Sequence, residues 1–231
     1  EVTLKTSRLP KVRGIAFIPF LRLRDAAISA QSIAEFNISA CDLLDRRLLS
    51  LAREESAELA NWVSPTAEAM LLVEVSGDDH GQVRDELEDL ARRGCPKTSL
   101  AGPIRITLEP SEVAIGWQLV KHVVPRMFQL KGKTRPLPLM EDVWVPVPQL
   151  PELIETAQRL LRKYQVIASV YSHAAHGELH LRPFVDLSDF EQIRQMQSLA
   201  TEYFDAVFDA GGTISVEQAW GLSRSWYLRE R

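Results

Sequence analysis

The chain has 231 residues, a formal net charge of -4 and a pI near 5.8, a balance that argues against a general nucleic-acid binder. Hydrophobic residues make up 45% and charged residues 25%, as in an ordinary globular protein able to bury one sizeable core or two small ones. Its two cysteines, Cys41 and Cys95, lack CxxC spacing and exclude an iron–sulfur or zinc-finger framework. As free thiols they suit a reducing cytoplasm, and neither a signal peptide nor a transmembrane run is visible.

In chain order, residues 1–5 read as a strand that starts without an initiator methionine, which suggests that upstream sequence was cut away. Residues 12–21 form a strand-like apolar run, and 23–35 space their apolar side chains as an amphipathic helix. A strand is expected at 38–43, with Asp45 capping a helix that runs towards Trp62. A buried strand at 69–75 precedes a helix over 79–93 stopped by Gly94 and Pro96, and a further strand follows at 104–108. This β-α-β-β-α-β order predicts an α+β, ferredoxin-like half over 1–109, an antiparallel sheet with helices on one face.

The half over 110–231 begins with Pro110 at the start of a helix that reaches about Leu130. A stiff, Pro-rich linker at 135–139, a short strand at Val143 and a helix over 150–164 come next. Strands around a histidine cluster, a helix over 188–208 and a final helix from Ser215 complete a more helical C-terminal part. The helical aromatics Trp117, Tyr203, Phe204 and Phe208 read as core.

Chemistry concentrates in Tyr171-Ser-His-Ala-Ala-His-Gly-Glu-Leu-His180 and in Gly211-Gly-Thr-Ile-Ser-Val-Glu-Gln-Ala-Trp-Gly221. Three imidazoles crowd one glycine, and a carboxylate follows in a second glycine-rich turn. Two His and one Glu suit zinc, manganese or iron(II) with positions left for substrate. His173 and His180 are an odd number of residues apart, so on one unbroken strand they would face opposite ways. A bulge or tight turn at Gly177 would bring both to one side, leaving His176 as the spare.

These two segments resemble the G-H-x-G-D-G-N-x-H and G-G-T-x-S-G-E-H-G-x-G motifs of FAD-linked oxidases of the vanillyl-alcohol oxidase type. The branch is that of glycolate oxidase flavin subunits, D-lactate dehydrogenases and D-2-hydroxyglutarate dehydrogenases. Val2-Thr-Leu-Lys with Leu9-Pro10 resembles the exit from that family's FAD-binding domain, and Glu141-Asp-Val-Trp-Val-Pro146 resembles its E-D-V-x-V-P segment, so the likeness spans essentially the whole chain. It implies a substrate-binding cap domain, with His173, His180 and Glu217 as ligands of a divalent metal, zinc or manganese. It further implies a small 2-hydroxy acid of the D-lactate or glycolate kind as substrate, FAD bound by a separate N-terminal domain, and, in fusion relatives, an iron–sulfur electron-acceptor domain. The fragment alone is expected to be inactive.

The chain departs from the family in three places. The histidine that takes the substrate's proton is Gln218, whose amide accepts no proton at neutral pH, so proton removal falls to His176, a metal-bound hydroxide or a residue of the FAD-binding domain, with Glu178 a weaker candidate. The motif glycines on either side are Val216 and Ala219. The arginine that grips the substrate carboxylate is Val120, and Lys121, about 100° further round a helix, is no equivalent. These losses support a second expectation, a degenerate cap domain serving as an interaction or regulatory module.

Overall fold

The computed structural model describes residues 2–55, 57–218 and 221–228. The elements run β1 (Val12–Phe20), α1 (Leu23–Ile33), β2 (Ala40–Asp45), α2 (Arg46–Glu55), α3 (Ala57–Trp62), β3 (Ala69–Gly77), α4 (His80–Gly94) and β4 (Arg105–Thr107). They continue with α5 (Pro110–Phe128), β5 (Arg135–Pro136), β6 (Met140–Trp144), α6 (Leu150–Lys163), β7 (Ala168–His173), β8 (Glu178–Val185), α7 (Phe190–Asp209) and α8 (Gly221–Arg224).

The strands β4-β1-β3-β2 stand in the order of a ferredoxin-like unit, every pair antiparallel. β7 pairs with β2 through Asp42↔His173, Leu43↔Ser172 and Leu44↔Tyr171, so the sheet continues without a break into β8, whose far edge is shared by β5 and β6. The α+β class and the antiparallel sheet are therefore as the sequence predicts. Alternation of side chains along each strand divides the buried residues between two faces. One face carries Ala16, Ile18, Leu43, Leu71, Val73, Val170, Leu179 and Leu181 against α1, α4, α6 and α7. The other carries Ile15, Phe17, Leu44, Met70 and Leu72 against α2, α3 and α5. Helices thus cover the second face as well, because α2, α3 and α5 bring apolar stripes of their own.

Local signals place most boundaries within two residues. Asp79 accepts from Gln82 N–H at 2.8 Å and starts α4, Pro110 opens α5, and Asp189 accepts from the N–H groups of Glu191 and Gln192 to start α7. Three expectations need correction. Residues 2–10 form no strand: they are exposed and lack a pairing partner among the described residues, while Glu1 lies outside these. The Pro-rich linker contributes β5, which pairs with Phe184 and Val185 of β8, since an edge position tolerates a proline without a donor. No helix starts at Ser215. Residues 215–218 are irregular because their N–H groups are turned towards a side chain rather than up a helix, and α8 begins at Gly221, with Ala219 and Trp220 outside the described residues.

Candidate metal centre

β7 ends at His173, a single 3-10 turn covers Ala174–His176, and Gly177 takes φ +80° before β8 starts. The turn makes His173 the cross-strand partner of Glu178, and His180, two residues further on, points to the same face. The odd spacing is thereby resolved. A Cβ on Gly177 would overlap the Val145 carbonyl oxygen, so the close approach of β6's end also requires glycine here. Gly212 meets the Trp144 carbonyl in the same way. Trp144 and Thr213 exchange backbone hydrogen bonds at 2.8 and 2.9 Å, Val145 N–H donates to the Gly177 carbonyl, and the Trp144 indole donates to the His176 carbonyl. Trp144–Val145 therefore clips the His-bearing turn and the Glu217 loop together.

On this face His173, Glu178, His180 and Glu217 each offer a ligand atom, all within 4.8 Å of one another. The His173 Nδ1 lies 2.7 Å from Asp42 Oδ1 and its Nε2 4.0 Å from Glu217 Oε2. A neutral ring that donates from Nδ1 to Asp42 directs the Nε2 lone pair into the cluster, the carboxylate–histidine arrangement that fixes metal ligands. Asp42 also hydrogen-bonds the Tyr171 hydroxyl, and the Tyr171 ring packs on both imidazoles with centroids 5.2 and 5.7 Å away. The Asp42 hydrogen bond raises the His173 pKa above its usual value, against the effect of burial. Burial, followed by the Arg182 charge, pushes His180 down to about 4, so this ring is neutral at pH 7. Burial, followed by the Glu217 charge, pushes Glu178 up to about 7.

The Glu217 loop is held by a residue from β6. The register of β6 on β8 shifts between Met140 and Val143, and Asp142 in that bulge has φ +64°. Its fully buried carboxylate accepts from the N–H groups of Val216 (3.2 Å), Glu217 (2.7 Å) and Gln218 (3.1 Å). Its own N–H donates to His180 Nδ1 at 3.3 Å. Asp142 is thus bonded to both the histidine and the glutamate, although the resemblance marks only the segment around it.

Of the residues singled out by sequence, His173, His180 and Glu217 come together, and Glu178 joins them. His176 does not: it is exposed on the turn and outside the cluster, because the 3-10 turn sends its side chain away from the sheet face. Gln218 is exposed and contributes its backbone N–H to Asp142. Val120 packs in the core of the α5 face, whereas Lys121 lines a cavity of about 1010 Å³ with Arg13, Glu74 and Trp117, lined by none of the four clustered residues. Within it Glu74 accepts from the Trp117 indole at 2.7 Å and pairs with Arg13. Asp42 and Asp142 carried no signal in sequence periodicity; for Asp42 the one clue was an acidic residue within an apolar strand, and for Asp142 its place in the 141–146 segment that carries the resemblance.

The donor set fits a divalent ion. Glu178 Oε1 is buried and has no hydrogen-bond partner, although His180 Nε2 is 3.2 Å away, so the two are not aligned as donor and acceptor. Two imidazoles and two carboxylates at this spacing are borderline-hard ligands of the kind that zinc and manganese take. FAD finds no such fit in this glycine pair: Gly211 and Gly212 follow the C-terminal end of α7 and Gly212 packs on the Trp144 carbonyl, where no helix N-terminus is offered to a pyrophosphate.

Sequence relatives include D-2-hydroxyglutarate dehydrogenase of Pantoea ananatis, 27% identical over 233 residues, which cover 96% of this chain and 23% of that protein. Glycolate oxidase subunit GlcD of Bacillus subtilis is 23% identical over 232 residues, 99% of this chain and 47% of that protein. The chain spans about a quarter of the length of the D-2-hydroxyglutarate dehydrogenases it matches. In three dimensions it resembles 4-ethylphenol oxidase from Gulosibacter chungangensis, with a TM-score of 0.65 at 12% identity over 89% of this chain and 46% of that one, a likeness of fold. Residues 9–231 match the profile of the FAD linked oxidases' C-terminal domain, and the chain belongs to that family.

Proposed function

We propose that this domain forms the substrate side of an FAD-dependent 2-hydroxy-acid dehydrogenase or oxidase, with His173, His180 and Glu217 holding a divalent metal, zinc or manganese, against the substrate. The convergence of these three residues with Glu178, all ligand atoms within 4.8 Å, carries the reading. The family supports the flavin, which an FAD-binding domain outside this chain would hold. Bound flavin supplies the hydride acceptor, and the bound dication supplies Lewis-acid chemistry that lowers the pKa of the substrate hydroxyl.

The chain's own residues orient and desolvate. Asp42 keeps the His173 proton on Nδ1, which leaves Nε2 free as a ligand. The Asp142 N–H donates to His180 Nδ1 at 3.3 Å and so orients the ring, whose Nε2 would face an ion held by the cluster. His173 and Glu217 remain 30% and 55% exposed through their side chains, the open side from which a small hydroxy acid reaches the cluster. Gln218, next to Glu217, has an amide that can hydrogen-bond substrate and cannot take its proton. His176, exposed on the turn, is the base candidate within that loop; otherwise the proton leaves to a residue of the FAD-binding domain.

The test is metal content by elemental analysis of the full-length protein after metal exchange, together with flavin bleaching by D-lactate, glycolate and 2-hydroxyglutarate. About one ion per chain, lost in His173→Ala and Glu217→Ala together with bleaching, is the expected result. Bleaching that survives both substitutions would sink the metal-assisted reading. His176→Ala should retain the metal and lose bleaching if His176 is the base.

A further inference from the structure

We propose that Glu178 is a fourth protein ligand, so that the ion is held by two imidazoles and two carboxylates and is six-coordinate when substrate is bound. The inference rests on the metal reading above and concerns a residue outside its three ligands.

Glu178 stands opposite His173 in the β7–β8 register and two residues before His180, so the hairpin alone presents three of the four donors on one face. Its side chain is 5% exposed, with Oε1 buried and unpartnered, while its backbone carbonyl is occupied by the Ser172 hydroxyl. A buried carboxylate without a donor is strongly disfavoured, more so beside a second carboxylate, and a shared cation removes both penalties. The neighbouring donors do not remove them. His173 donates its Nδ1 proton to Asp42, His180 Nε2 at 3.2 Å is not aligned to donate to Glu178 Oε1, and Arg182, four residues along β8, pairs with Glu141 at 2.6 Å.

The count of ligands decides which ion serves a hydroxy acid. Four protein donors fill a tetrahedral zinc shell, and an α-hydroxy carboxylate needs two adjacent positions for its hydroxyl and carboxylate oxygens. A six-coordinate ion such as Mn²⁺ retains two positions after binding these four residues. The two carboxylates of Glu178 and Glu217 also match the charge of a dication.

The experiment uses Mn²⁺ alone as probe, titrated into the chelator-stripped full-length protein and followed by the EPR signal of free Mn²⁺, for wild type, Glu178→Gln and His173→Ala. One Mn²⁺ per wild-type chain is expected, with affinity reduced about tenfold or more in Glu178→Gln at unchanged circular dichroism. Wild-type affinity in Glu178→Gln, combined with loss in His173→Ala, would overturn the fourth ligand and leave the three-ligand site standing. No binding to wild type would overturn both. Should Glu178→Gln not fold, anomalous scattering from Mn²⁺ in wild-type crystals answers the same question: a Glu178 oxygen at about 2.2 Å supports the proposal, and one beyond about 3 Å overturns it.

Discussion

Asp142 shows how one buried side chain sets the position of several others. Its φ of +64° is disfavoured for a residue with a Cβ, at roughly 1 kcal/mol, and this strain is offset by three backbone N–H groups converging on its carboxylate. Replacing it with alanine keeps the strained backbone and leaves those donors without an acceptor. Asp142→Ala is therefore expected to lose about 2–3 kcal/mol in urea unfolding and to weaken Mn²⁺ binding. Asp142→Asn, which tolerates a left-handed backbone and retains one carbonyl oxygen, should lose less. Equal stability of wild type and Asp142→Ala would show that the loop over 215–218 is positioned by something else. The sequence made His173, His180 and Glu217 legible because imidazoles and a carboxylate beside glycines are conspicuous locally. The roles of Asp42 and Asp142 were not, although Asp142 lies in the segment that carries the resemblance, since their partners lie 131 and 75 residues away.

At the scale of elements, the hairpin of β7 and β8 aligns the donors and the end of β6 fastens it. Gly177 and Gly211 both have positive φ, at +80° and +76°, yet only Gly177 is crowded: an added Cβ there meets the Val145 carbonyl, whereas nothing lies within 4 Å at Gly211. Gly211→Ala should lose about 1 kcal/mol from backbone strain alone. Gly177→Ala should lose at least about 2 kcal/mol, a fall in Tm of roughly 4–8 °C for a chain of this size. Thermal unfolding of the pair checks this, and a smaller loss at Gly177 than at Gly211 would contradict the clip formed by Trp144–Val145. The expected tight turn at Gly177 is present because glycine chemistry is local. The expected helix from Ser215 is absent because Asp142 competes for its N–H groups, a competition no local pattern records.

Across the whole molecule, Asp45 joins the ferredoxin-like strands to the site-bearing ones. Its carboxylate caps α2 through Leu48 N–H at 2.9 Å and accepts from Val170 N–H of β7, also at 2.9 Å. Burial pushes its pKa up to about 6 despite these hydrogen bonds. The folded state therefore holds the Asp45 proton more tightly than the unfolded chain does. The resulting stabilisation is complete below about pH 4 and is lost as pH rises through about 6, an effect of roughly 2–3 kcal/mol. Asp45→Asn, neutral throughout, should remove that slope: its unfolding free energy should fall by correspondingly less than that of wild type between pH 4 and pH 7.5. Parallel pH profiles for the two proteins would refute the shift.

The sequence by itself determined the α+β class, the order of nearly all elements, the cap at Asp45, the helix starts near Asp79 and Pro110, the turn at Gly177 and the residues on which the family likeness rests. Each depends on periodicity or turn chemistry acting over a few residues. Only the tertiary structure decided that helices cover both faces of the sheet, that β7 joins β2, that Glu178 belongs to the cluster and His176 does not, and that Asp42 and Asp142 hold His173 and the Glu217 loop in place. Those outcomes follow from strand register and from hydrogen bonds closed across long stretches of chain, which exist only once the whole sheet has assembled.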